Sequence, residues 1–215
     1  MKRSAATLTL CLGATALFGF ATMEARAAMF ELKKDQVDAA VAHGKKHFEQ
    51  HPTAFRWAYL KDTGYGYPSV LMRTEYLAVA DYVRRAEFQR KYGSQRAHKL
   101  TDKRIQDARS EVAGHLQFVV TIYGPSADFM KAHKFHLMAG DKKIEPANVD
   151  KPVMAENSGF KGKLAYKAVC FVDFAAKALK GNEKVTLVVD PPAGMGPSGQ
   201  RNADFKVPFD LAAVK

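Results

Sequence analysis

Apolar residues recur at helical spacing in the part of the chain that precedes residue 113. In the first such run they are three or four residues apart: Val37, Val41, Gly44 and Phe48. This spacing places them on one face of a helix, and Asp35 is suited to cap its start. Pro52 ends the run, because proline lacks the amide hydrogen that a helix needs.

Two further helices are predicted before residue 113. One occupies about residues 75–92 and stops at Gly93, since glycine commonly follows the end of a helix. The other is shorter and more polar, begins at Thr101 as its cap and extends to about Val112. Residues 55–68 are rich in aromatic residues, glycine and proline, which is typical of a loop.

After residue 113 the apolar period changes to two, as expected of strands with one buried face. The alternation is clear in four segments: 116–122, 163–174, 184–189 and 205–211. Pro208 suits an edge strand, because it cannot donate a hydrogen bond to a neighbour. Shorter strands fit residues 134–139 and 142–145, which Gly140-Asp141 joins as a hairpin.

These patterns predict an α+β protein in which an N-terminal helical layer precedes an antiparallel immunoglobulin-like β-sandwich. The expected boundaries are 1–27 for a signal peptide, 28–112 for the helical region and 113–215 for the sandwich. The comparison with immunoglobulin domains concerns architecture and implies no function.

The first 27 residues have the pattern of a secretory signal peptide. Lys2 and Arg3 precede an apolar stretch from Leu8 to Phe20, and Ala25-Arg26-Ala27 offers small residues at a cleavage site. The stretch is shorter than the roughly 20 residues that span a bilayer. We therefore expect cleavage before Ala28, a periplasmic or secreted protein, and no integral membrane segment in the mature chain.

The charge balance is basic in an otherwise ordinary globular composition. The chain carries 33 basic and 22 acidic residues, a net charge of +11, and 47% hydrophobic residues, which excludes a disordered or collagen-like chain. Loss of residues 1–27 removes three basic residues and one acidic residue and leaves +9. It also leaves Cys170 as the single cysteine, on the apolar face of a predicted strand, so we interpret its thiol as a small buried group.

Two-thirds of the net charge of +9 lies between Arg84 and Arg109, where nine basic residues accompany three acidic ones. Such a stretch suits an anionic component of the cell envelope or an acidic surface of an envelope protein. The residues expected to bind this partner are Arg84, Arg85, Arg96, Lys99 and Arg104. Export argues against nucleic acid as the partner. The alternative is a solvated helix face that serves solubility alone.

Three histidines recur at four-residue intervals in the first predicted helix: His43, His47 and His51. Imidazoles one turn apart can share a zinc, copper or nickel ion. All three cannot bind one ion on a straight helix, because the first and third are about 12 Å apart along its axis. We predict no resident cofactor, and a metal site at these histidines is the alternative to three histidines at the edge of a buried face.

A second candidate surface consists of aromatic residues in and beside the predicted loop: Trp57, Tyr59, Tyr65 and Tyr67. Rings in such a loop stack on sugars or fill a pocket of a partner protein. Packing between the helical layer and the sandwich is the other interpretation.

No segment matches a catalytic motif. Residues 191–199 are rich in glycine and proline but lack the Gly-Lys-Ser/Thr ending of a phosphate loop, and no Gly-x-Ser-x-Gly occurs. The sequence therefore favours an exported, non-catalytic binding or interaction protein. The alternatives are a periplasmic metal-binding protein that uses the helical histidines, and an unrecognised envelope hydrolase whose active site assembles from distant residues.

Overall fold

The computed structural model describes residues 30–62, 68–93, 99–181, 183–190 and 205–213. Within these ranges, four α-helices and ten strands form an α+β protein, which confirms the predicted class. Several predictions lie outside the described residues: the signal peptide, Tyr65, Tyr67, Arg96 and the segment 191–199.

The helices are α1 (Lys34–Lys46), α2 (Pro52–Phe55), α3 (Glu75–Tyr92) and α4 (Asp102–Ser110). The predicted cap of α4, Thr101, is in place, and Thr74 caps α3. The hydroxyl of Thr74 accepts a hydrogen bond from the amide of Leu77 at 3.2 Å, and that of Thr101 accepts one from the amide of Arg104 at 3.4 Å. The bounds predicted for α3 are confirmed.

The first helix differs from its prediction at both ends. Its cap is Lys33 instead of Asp35, and the Gln36 side chain accepts a hydrogen bond from the Lys33 amide at 2.8 Å. The helix ends at Lys46, so His51 lies beyond it. His51 instead begins α2, where its Nδ1 accepts a hydrogen bond from the Thr53 amide at 3.3 Å.

Two antiparallel sheets contain the strands. Sheet A has the order β1 (Leu60–Asp62), β2 (Ser69–Arg73), β3 (His115–Gly124), β8 (Tyr166–Ala175) and β6 (Asn148–Asp150), and β7 (Glu156–Asn157) also pairs with β8. Sheet B has the order β10 (Phe205–Asp210), β9 (Lys184–Asp190), β4 (Lys134–Ala139) and β5 (Lys142–Ile144).

Most of the predicted strands are present in these sheets. Pro208 lies on the edge strand β10, and the hairpin β4–β5 turns at Gly140, whose φ of +60° suits glycine. The prediction missed β1 and β2, which lie before residue 113, and the short strands β6 and β7. β1 pairs with β2, and β2 pairs with β3. The immunoglobulin-like arrangement stays a prediction.

The inner faces of the two sheets contribute to one hydrophobic core. The ring of Phe118 on β3 lies 5.8 Å from that of Phe174 on β8 and 5.3 Å from that of Phe209 on β10, measured between centroids. Cys170 is fully buried in this core, as predicted, and burial raises the pKa of its thiol to about 12.

The helices pack on one another beside sheet A. Gly44 of α1 meets α3 closely, because a Cβ at this position would lie 2.4 Å from the Ala80 carbonyl oxygen. The buried Glu75 carboxylate accepts hydrogen bonds from the Leu32 amide and from Nε of Arg109, at 3.1 and 2.8 Å, and so joins α3 to α4. Among the helices of the described ranges, none is long and apolar enough to cross a membrane.

Candidate functional site

Two adjoining cavities lie beside α3. The first, of about 420 Å³, is between α3 and α4, and the second, of about 340 Å³, is between α3, sheet A and the turn after α2. They share Arg73, Ala78, Arg85 and Glu111 as lining residues. We call the two cavities together the arginine cleft, after the arginines that line it: Arg56, Arg73, Arg85 and Arg104.

Helical spacing explains the wall of the first cavity. Ala78, Tyr82, Arg85 and Gln89 are three or four residues apart and therefore lie on one face of α3. The same spacing brings together the lining residues of α4 and the residue that follows it: Arg104, Asp107, Ala108 and Glu111. The short alanine side chains leave space between the helices, and the long polar side chains border it.

Asp81 holds three arginines at one end of the cleft. Its carboxylate accepts hydrogen bonds from Arg56 at 2.6 and 3.2 Å and from Nε of Arg84 at 3.2 Å, and it lies 3.3 Å from Nε of Arg85. Burial raises the pKa of Asp81, but the hydrogen bonds from Arg56 and the charges of the three arginines outweigh burial and lower it. One carboxylate among three guanidinium groups leaves two positive charges.

Arg73 is held by a row of polar side chains across sheet A. Its guanidinium donates hydrogen bonds to Gln117 at 2.7 Å and to Glu111 at 2.9 Å, and the Gln117 amide donates to Asp173 at 2.8 Å. The strand register places Arg73, Gln117 and Asp173 side by side on β2, β3 and β8. A guanidinium fixed in this way loses little freedom when it binds an anion.

Arg104 and Tyr82 are two groups of the first cavity that have unused hydrogen-bonding capacity. Arg104 is exposed, and its guanidinium forms no ion pair with any residue in the described ranges. The Tyr82 hydroxyl is buried and has no hydrogen-bond partner there. A buried hydroxyl without a partner costs about 1–3 kcal/mol, and an acceptor on a ligand would recover that cost.

The basic residues of the stretch 84–109 occupy different environments in the structure. Arg85 and Arg104 line the cleft, and Lys99 is exposed outside the lining of either cavity. Arg84 lines neither cavity of the cleft; it is 4% exposed and donates hydrogen bonds to Asp81 and to the Gln50 carbonyl. We therefore leave Arg84 out of the candidate site.

Other charges of this stretch have partners of their own. Arg90 pairs with Glu87 at 2.7 Å, Lys91 pairs with Glu49, and Arg109 pairs with Glu75. Sequence reasoning missed Arg56 and Arg73, which precede the basic stretch. Arg56 lies in the turn after α2, and Arg73 lies at the end of β2. Nothing in the residues around either arginine predicts that it lines a cavity.

The histidines of the predicted metal site do not share one helix. The His43 and His47 rings are 4.7 Å apart between centroids, and His43 also packs 5.1 Å from the Phe55 ring. His51 caps the next helix. In the part of the chain that the structure describes, no group of three or more His, Cys, Asp or Glu side chains is placed to hold a metal ion. The metal site stays a prediction.

The aromatic candidates separate into two kinds. Trp57 is 70% exposed and directly follows Arg56, which lines the arginine cleft. Tyr59 is buried in the hydrophobic core, so it packs within the protein instead of offering a binding surface.

Neither the scan against protein-family models nor the search of curated proteins finds a match to this chain. The chemistry of the cleft is therefore the basis on which a function is inferred.

Proposed function

We propose that this protein is an exported, non-catalytic binding protein that takes up an anionic ligand in the arginine cleft. The observation that carries the proposal is the convergence of four arginines on two adjoining cavities. Guanidinium groups bind carboxylates and phosphates through paired, charge-assisted hydrogen bonds. Each cavity falls in the range of ligand pockets, roughly 300–1,000 Å³.

The carboxylates in the cleft orient the arginines but leave some of their hydrogen-bond donors unused. Asp81 is shared among three guanidinium groups, and each of these has five donors, so Arg56 and Arg85 keep donors for a ligand. Glu111 bonds a single nitrogen of Arg73. The Arg85 side chain is 57% exposed and therefore accessible.

Export is part of the same proposal. The pattern of residues 1–27 supports a signal peptide and a periplasmic or secreted protein. In that compartment the anionic ligand would be an envelope component or an acidic group of an envelope protein. We also propose the immunoglobulin-like arrangement, which the two antiparallel sheets with a common core support.

Calorimetric titration with inorganic pyrophosphate tests the anion site. Arg85→Gln and Arg104→Gln should each weaken binding about five- to tenfold, as expected for the loss of one charge-assisted hydrogen bond. Arg90→Gln and Lys103→Gln are matched controls, because they remove the same charge from the same two helices outside the cleft. Equal losses in the controls, or no loss in the cleft variants, would contradict the proposal.

A metal-binding protein is the second candidate, and the adjacent imidazoles of His43 and His47 favour it. Elemental analysis of the purified protein tests this candidate. Stoichiometric zinc, copper or nickel that disappears in His47→Ala would place it ahead of the anion site. The envelope hydrolase stays a prediction.

A further inference from the structure

The outer face of sheet A carries half-buried apolar side chains next to the arginine cleft. The strand register places Leu60, Leu71, Val119 and Phe171 side by side on β1, β2, β3 and β8. Neighbouring residues such as Val120 point to the opposite, core side, because side chains alternate along a strand. We call these four residues the apolar row.

The apolar row continues into the second cavity. Leu71 and Val119 line this cavity together with Leu77 of α3. Its polar border consists of three arginines and two carboxylates, a surplus of one positive charge: Arg56, Arg73, Arg85, Asp81 and Glu111. Arg73 is two residues from Leu71 on the same strand, so the two side chains share a face and are about 7 Å apart. The cavity thus joins an apolar wall to this polar border.

We propose that the ligand is a single-chain amphiphile with an anionic head, such as a long-chain carboxylate. The head binds the guanidinium groups of Arg56, Arg73 and Arg85, and the chain lies along the apolar row. This inference rests on the proposed function and names the class of ligand. The row crosses four strands and is roughly 14 Å long, which matches an extended dodecyl chain.

The geometry favours one amphiphile molecule over a membrane surface. The side chains of Arg73 and Arg56 are only 20% and 30% exposed, and α3 lies beside them. A flat layer of head groups does not reach such recessed guanidinium groups, whereas a single molecule within the cavity does. A hydrophilic anion would leave the apolar row uncovered, and a neutral chain would leave the charges of the arginines unmatched.

A chain-length series on the unmodified protein tests the inference. Hexanoate, octanoate, decanoate and dodecanoate are titrated as monomers, with 1-decanol as the neutral control. Affinity should rise about twofold for each methylene on a half-covered surface, or roughly 60-fold from hexanoate to dodecanoate. Decanol should bind at least about tenfold more weakly than decanoate, because it lacks the charge that the arginines recognise.

Variants then locate the chain. Val119→Thr keeps the β-branched shape while it adds a hydroxyl, and it should weaken dodecanoate binding several-fold. Val153→Thr makes the same change at an 83% exposed position in a loop, away from β3, and should have no effect.

The outcomes separate the two proposals. Affinity that is independent of chain length but still depends on Arg85 overturns the amphiphile and leaves the anion site standing. Binding to phosphatidylglycerol vesicles without binding to monomeric dodecanoate overturns it in favour of a membrane surface. If neither pyrophosphate nor dodecanoate binding depends on Arg85 and Arg104, the proposed function itself fails.

Discussion

Replacement of Asp81 by asparagine should destabilise the protein and strengthen its binding of anions. The change keeps the size of the side chain but removes the charge that Arg56, Arg84 and Arg85 share. The loss of this charge affects Arg84 most, because its side chain is 5% exposed and water does not replace the lost ion pair. It then keeps only the Gln50 carbonyl and the face of the Phe55 ring as partners.

The magnitude follows from the exposure of each partner. Breaking a buried ion pair on one side costs about 3–5 kcal/mol, and the asparagine oxygen still accepts one hydrogen bond, so we expect about 3 kcal/mol. The pairs with Arg56 and Arg85 add little, since these side chains are 30% and 57% exposed and water compensates them. For a chain of this length the loss corresponds to a decrease of about 6–12 °C in Tm.

Anion binding should change in the opposite direction. Arg56 and Arg85 lose a competing carboxylate, and a unit charge a few ångströms away contributes about 1 kcal/mol through water. Pyrophosphate affinity should therefore rise about fivefold.

Thermal unfolding followed by circular dichroism measures the first effect, and calorimetric titration measures the second. Glu87→Gln is the matched control, because Glu87 pairs on the same helix with Arg90, whose side chain is 74% exposed, and its loss should cost under about 1 kcal/mol. A destabilisation by Asp81→Asn no larger than that of the control would refute the role of Asp81 in holding Arg84. Weaker pyrophosphate binding in the folded variant would refute competition between Asp81 and the ligand.

Four other features make separate predictions. Gly44→Ala should cost about 1–3 kcal/mol in urea unfolding, since its Cβ would meet the backbone of α3 at 2.4 Å, and an unchanged midpoint would contradict this packing. His133 is 4% exposed, and its burial lowers the pKa of the imidazole below 6.5. The nearby charge of Lys151 also lowers this pKa, and the two effects outweigh a hydrogen bond to the Phe129 carbonyl, which raises it. The folded state therefore binds a proton at His133 less readily than the unfolded state does. As the pH falls below 6.5, the free energy of unfolding should decrease by up to about 1.4 kcal/mol per pH unit. His133→Gln should reduce this slope, and His115→Gln, at an exposed histidine, should not. The thiol of Cys170 should resist alkylation until the protein unfolds, because its pKa is raised to about 12, so rapid labelling of the native protein would contradict its burial. Mass spectrometry of protein from the cell envelope should find an N-terminus at or near Ala28, and an intact Met1 in the cytosol would refute export.

Local patterns predicted the elements that are long and regular. The cap at Thr101, the bounds of α3 and the alternation along β3 and β8 are all properties of neighbouring residues, so the sequence reveals them. The strands β1 and β2 were missed because they are short and β1 lies in a segment whose aromatic residues, glycine and proline favour a loop. Their pairing, β1 with β2 and β2 with β3, stabilises them as strands.

The candidate site was predictable only in part for the same reason. The charge surplus of residues 84–109 pointed to Arg85 and Arg104, which line the cleft. Arg84 was predicted to bind the anionic partner but is 4% exposed, since charge counting does not reveal which face of α3 is buried. Arg56 and Arg73 come from a turn and a strand end, and only the tertiary fold brings them to the cleft.

The most direct test of the anion site observes the arginine side chains themselves. Nuclear magnetic resonance of the Nε–Hε groups during a pyrophosphate titration reports each guanidinium separately. We expect saturable shifts at Arg56, Arg73, Arg85 and Arg104, and none at Arg90, which lies on α3 outside the cleft. Shifts of equal size at Arg90, or no saturable shift at the four arginines of the cleft, would contradict the account.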